Sequence, residues 1–183
     1  MTASHNMRVE MAASTTEEST GSSDLRSDGT TLGESVAEFI SFSIGEDQYG
    51  VAIMSVREIK GWSGVTHLPK QPDYVRGVLN LRGVMVPIID LRCRFGQGRT
   101  EASTMHVVII VQLGGKLVGI LADRVLDIVS IDANKVQPVP RVTRSNQSDL
   151  LSGLVTIEDG MIALIDLEHL ISVSEGEAES LAA

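Results

Sequence analysis

The chain has 183 residues, 43% hydrophobic and 21% charged, the balance of an ordinary globular domain. Aromatics are only 3%, so Val, Ile, Leu and Met must build the core. A net charge of −9 argues against nucleic-acid binding, which needs a basic surface to displace counterions. The longest unbroken apolar runs, among them Val107 to Val111, have five residues, far short of the about 20 residues of a spanning helix. No basic segment followed by an apolar one marks secretion. The expectation is a cytoplasmic chain without direct membrane insertion. One cysteine, Cys93, excludes an internal disulfide framework and suits a reducing compartment.

Residues 1–36 carry six acids, two bases and thirteen Ser or Thr, with no apolar periodicity. Such a stretch cannot bury enough surface to offset the entropy of ordering. It is expected to be a disordered Ser/Thr-rich acidic leader. Residues 174–183 add three Glu and read as a shorter acidic tail. The body between them, 37–173, holds 15 acids and 13 bases, so the excess negative charge belongs to the ends.

The body reads as strands. Phe39 to Ile44 partly alternates, and Gly45 to Gly50 supplies turn residues. Gly77 to Leu91 is two apolar runs around Asn80-Leu81-Arg82-Gly83, a hairpin with Arg82 and Gly83 at or near the turn. Pro87 inside the second run predicts an edge or a bulge. Asp90 to Phe95 reads as a short capped helix before Gly96. Val107 to Val111 and Leu117 to Leu121 flank Gly114-Gly115-Lys116, a second hairpin signal. Asp166 to Ile171 repeats the short helix.

That repetition is general. Laid on Gly153–Leu167, the segment Gly77–Leu91 shares Gly77/Gly153, Met85/Met161, Ile89/Ile165, Asp90/Asp166 and Leu91/Leu167. Laid on Val108–Ile128, the segment Phe39–Ile59 shares Ile40/Ile109, Gly45/Gly114, Gly50/Gly119, Val56/Val125 and Ile59/Ile128. The offset grows from 69 to 76, and the polar stretch Arg141 to Ser148 is the expected place of the seven extra residues. These coincidences predict a duplicated β unit of roughly 60–70 residues, marginal alone and so expected to pack on its twin. The halves are expected near 37–100 and 101–173, with strand exchange between them left open.

Catalytic constellations are nearly absent. Neither Gly45–Gly50 nor Gly114-Gly115-Lys116 has the spacing and Lys-Ser/Thr of a phosphate loop. His5, His67, His106 and His169 are scattered singly, whereas zinc needs three or four converging ligands. Cys93 lies between Arg92 and Arg94, which could lower its pKa, but a small half-buried residue is the plainer reading. Asp90 and Asp166 read as helix caps rather than paired carboxylates. Two features resist plain explanation: an Arg at a hairpin tip between apolar strands, and the mixed Val56-Arg57-Glu58-Ile59 after a strand.

At these residues the chain resembles the CheW family of bacterial chemotaxis coupling proteins. The run Gly77 to Arg92 follows the family pattern G-x-x-N-L-R-G-x-x-x-P-[VIL]-[VI]-D-L-R position by position. Tyr49-Gly50-Val51, Val56-Arg57-Glu58-Ile59, Pro72 to Gly77 and Val118-Gly119-Ile120 with Asp123 and Val125 support it. The resemblance covers 37–173. It implies an all-β fold with a few short helices, namely two SH3-like five-stranded β-barrels packed together as one CheW-like domain. It further implies a non-enzymatic adaptor with no cofactor and no metal. Such an adaptor couples the cytoplasmic tips of methyl-accepting chemoreceptors to the regulatory domain of the histidine kinase CheA, and is recruited to membrane-associated receptor arrays. By resemblance, Arg82, with Asn80 and Leu81 beside it, Val56 and Glu58 belong to receptor or kinase binding. Val125 and Ile128 would line a groove between the barrels, and Gly77 and Gly83 flank the Asn-Leu-Arg element as structural turns. The same fold could instead serve surface motility or gene regulation, or cap arrays.

Overall fold

The computed structural model describes residues 36–140, 148–158 and 160–172. The expected leader, apart from Val36, the C-terminal tail and most of the Arg141–Ser148 connection lie outside them. The described chain runs β1 (Val36–Ile44), β2 (Asp47–Ala52), β3 (Val56–Gly61), β4 (Val75–Leu81), β5 (Val84–Asp90) and α1 (Leu91–Arg94). It continues through β6 (Val107–Leu113), β7 (Lys116–Ala122), β8 (Arg124–Asp132), β9 (Leu151–Ile157) and β10 (Gly160–Ile165), then a helical turn at 167–172.

Two five-stranded sheets result, ordered β8-β1-β2-β10-β9 and β3-β6-β7-β5-β4. The duplication is visible strand by strand: Phe39 pairs with Ala52 in β1–β2, and Val108 with Leu121 in β6–β7. Even the irregularities repeat. A bulge lies between Ile40 and Phe42 opposite β8, and another between Val56 and Glu58 opposite β6. After β3 a bridge joins Thr66 to Val78, and after β8 a bridge joins Gln137 to Leu154, drawing the edge strands of each sheet together into a barrel.

The strands do not divide at residue 100. β1 and β2 from the first half join β8, β9 and β10 of the second, while β6 and β7 join β3, β4 and β5. Each barrel therefore takes two strands from one repeat and three from the other.

Period-two alternation explains the packing. Along β6, Val108 and Ile110 fill the second barrel, with Val86, Ile88 and Leu121. Ile109 and Val111 point the other way, into a core shared by both sheets with Ile40, Phe42, Ile44, Val51, Val118 and Ile120. A third cluster, Ile131, Val155, Ile162 and Leu164, fills the first barrel. Being buried on both faces is why β6 reads as an unbroken apolar run rather than an alternating one.

Pro87 departs from expectation. It sits in β5, which is flanked by β4 and β7 and is not an edge, and the bulge of this hairpin lies in β4, between Val75 and Gly77. Its missing N–H costs nothing, for two reasons. Facing Val78 turns both its backbone groups to Thr66, and pairing of β5 with β7 begins only at Ile88.

Candidate protein-docking site

The β4–β5 hairpin turns at Arg82 (φ +52°) and Gly83 (φ +92°), two left-handed residues of the kind that match the twist of paired strands. Asn80 Oδ1 accepts from the Gly83 amide at 2.7 Å. Asn or Asp is the usual residue at the first left-handed position; an Arg there carries strain of about 1 kcal/mol. Its side chain is 87% exposed and its Nη2 lies 3.9 Å from Glu58 Oε2. A surface pair this long contributes about 0–1 kcal/mol, so the contact orients the guanidinium more than it stabilises the fold. Glu58 and Arg82, far apart in sequence, are thus neighbours, with Asn80 as the brace of the turn. Leu81 points inward, against the core of its barrel, and so supports the turn from behind. Beyond the tip Val84 and Met85 are exposed.

Val56 and Val125 occupy corresponding places on β3 and β8, and both pack on the shared core between the barrels. Ile128 is 55% exposed on β8. It pairs with Ile40 and so shares the face that looks toward the second barrel. The β8 backbone is held at its bulge by Ser41, a buried hydroxyl that donates to the Asp127 carbonyl (2.9 Å) and accepts from the Asp127 amide (3.0 Å). The candidate residues therefore form two groups carried on different sheets: Glu58 with Arg82, and Val125 with Ile128. Sequence reasoning singled out the run Val56 to Ile59 but gave no binding role to Ile59, 41% exposed on β3, although it is the counterpart of Ile128 in the duplication. It also passed over Met54, 92% exposed between β2 and β3, for which the sequence carried no signal.

Asp90 and Asp166 are structural. Asp90 is fully buried, accepting from the Cys93 amide (3.2 Å), the Thr100 amide (2.8 Å), Thr100 Oγ1 (2.7 Å) and Arg76 Nη1 (3.2 Å). Asp166 accepts from the His169 amide at 3.0 Å. Both are caps, as expected of Asp at a helix start. The Cys93 thiol is pushed up, by burial first and then by Asp90 and Asp73. That is opposite to the depression by neighbouring arginines which the sequence suggested, and it favours the neutral thiol over the nucleophilic thiolate. Among the described residues no three His, Cys, Asp or Glu side chains gather as a metal site, and no helix is long and apolar enough to cross a membrane.

Known proteins place this arrangement. A family model described as the CheW-like domain matches residues 38–175. The "Probable chemotaxis protein CheW" of Rhizobium etli is 42% identical over 147 residues, covering 80% of this chain and 95% of that one. The chemotaxis protein CheW of Klebsiella aerogenes is 40% identical over 147 residues, covering 80% and 87%. Among solved structures, the scaffolding protein TtCheW from Thermoanaerobacter tengcongensis aligns with a TM-score of 0.66 at 32% identity, covering 77% of this chain and 91% of that one. With two interlocked five-stranded sheets and a family match over nearly all of the body, the chain belongs to the CheW-like family of chemotaxis proteins.

Proposed function

We propose that this chain is a non-catalytic adaptor that docks the helical tips of chemoreceptors and the regulatory domain of a chemotaxis histidine kinase, holding both in one assembly at the membrane. The observation that carries the reading is Arg82: a strained, left-handed, 87% exposed arginine beside Glu58. A turn residue kept at a cost to the fold marks a surface used for something else. Its fork of directional donors suits carboxylates and helix-terminal carbonyls. Apolar side chains at Val56, Val125 and Ile128 supply burial against a helix face.

The test is co-sedimentation with receptor-containing membranes and purified kinase. Arg82→Glu should leave the protein folded and remove most of it and of the kinase from the pellet. Arg82→Asn is more discriminating. Asn suits the left-handed position better, so this variant should be as stable as the parent or more stable, by about 1 kcal/mol or less, and still lose assembly. Undiminished pelleting of folded Arg82→Asn and Arg82→Glu would remove Arg82 from the site.

A further inference from the structure

The passage from β7 to β8 takes the chain from the second sheet to the first through one residue, Asp123. Three segments converge on its carboxylate. The Gly45 amide, in the β1–β2 turn, donates to Oδ2 at 2.7 Å. Arg92 Nη2, from α1, donates to the same oxygen at 2.7 Å. His106 Nε2, just before β6, lies 3.5 Å from Oδ1. The Asp123 amide in turn donates to the Ser43 carbonyl at 3.0 Å. Arg92 and Asp123 are 25% and 27% exposed, so water screens the pair less than it would a free surface pair.

The duplication supplies an internal control. The counterpart of Asp123 is Met54, 92% exposed in the passage from β2 to β3. The counterparts of Arg92, His106 and Gly45 are Glu168, Ala37 and Gly114, and the space around Gly114 is empty. Among the described residues nothing like the Asp123 cluster forms at this second crossing, yet the fold closes there equally well. The cluster is therefore not a requirement of the architecture. What it adds is local. Asp123 immediately precedes Arg124 and Val125, and the Ser41 clasp on Asp127 fixes the same strand four residues on from Asp123. Val125 lies between these two anchors, and exposed Ile128 follows directly after the second.

We propose that Asp123 is a positioning residue: through Gly45, Arg92 and His106 it holds the start of β8 so that Val125 and Ile128 meet a partner helix in a preset geometry. The docking role of Val125 and Ile128 rests on the function proposed above; the clamp itself does not. Pre-ordering this edge means that less conformational freedom is lost on binding. It also explains why a carboxylate stands at one crossing and an exposed methionine at the other.

Two measurements separate the clamp from the docking reading. Amide hydrogen exchange of free Asp123→Asn and Arg92→Gln should show loss of protection at Gly45 and over 124–128. The loss should be about tenfold or more, as expected for a charge-assisted hydrogen bond, with β6 and β7 unchanged. Unchanged exchange over 124–128 overturns the proposal, and so does a loss of protection spread evenly over all strands, which is the mark of a merely structural residue. The second measurement is affinity for a soluble fragment of a chemoreceptor signalling tip. Asp123→Asn should bind about tenfold or more weakly, at a melting temperature close to the parent's. Full affinity in Asp123→Asn alongside weak binding in Ile128→Ser overturns the positioning role. Full affinity in Ile128→Ser itself, with the exchange pattern as expected, instead overturns docking at this edge and leaves the clamp standing.

Discussion

Gly77 and Gly83 flank the same Asn-Leu-Arg element, yet they are glycines for different reasons. At Gly77 (φ +136°) a Cβ would sit 2.3 Å from the Thr66 carbonyl oxygen, because the Thr66–Val78 bridge passes directly over the β4 bulge. At Gly83 (φ +92°) the space is open, and only the backbone conformation disfavours a side chain. Gly77→Ala must therefore move backbone, and should cost more than about 3 kcal/mol in urea unfolding. Gly83→Ala should cost about 1 kcal/mol. Equal losses in the two variants would show that the bridge can give way. The sequence marked both glycines by pattern, and Gly77 also by its coincidence with Gly153. It could not reveal the cause at Gly77, since the clashing carbonyl comes from a loop whose path is set by tertiary bridging. Gly153 is crowded from the corresponding loop too, but there a Cβ would meet the Val136 side chain at 2.4 Å first and the Gln137 carbonyl only at 3.1 Å.

The two short helices show how far element-scale reading goes. Asp90 and Asp166 are the same residue at the same place in each repeat, and each accepts from the amide three residues on. Capping was legible in the sequence; its weight was not. Asp90 is fully buried and also satisfies Arg76 and Thr100, with the Arg76 guanidinium 5.8 Å from the centre of the Trp62 ring. Asp166 is 29% exposed and faces His169 at 3.3 Å. Asp90→Ala strands a buried guanidinium and should cost about 3–5 kcal/mol. Asp166→Ala loses only a cap and should cost about 1 kcal/mol. Chemical denaturation of the two variants side by side gives the comparison, and near-equal values would mean that the Arg76 network contributes nothing beyond capping. Local pattern specifies a cap because the accepting amide lies three residues away. It cannot specify that Arg76 and Thr100, fourteen residues before and ten after, will fold onto the same carboxylate.

At the scale of the molecule, the periodicity that revealed strands was silent about their partners. Alternation records which face of a strand is buried, not which sheet it joins. The crossings, three residues between β2 and β3 and one between β7 and β8, look like ordinary short connections, yet each changes sheet. A division near residue 100 consequently cuts through both barrels. Of the eight strand pairings among the described residues, four join the two halves: β1–β8, β2–β10, β3–β6 and β5–β7. The core between the sheets adds apolar burial across the same division. A protease site engineered into the largely exposed segment Glu101–Met105 tests this interlocking directly. After cleavage the two pieces should co-elute at the size of the intact chain and part only in denaturant, because each leaves the other with unpaired interior strand edges and an uncovered core. Two independent barrels in chain order would part without denaturant. Separation of the nicked pieces in native buffer would thus contradict the exchanged topology. Persistence would show that the two repeats are held together by the strands they exchange, in keeping with the marginal size of one repeat.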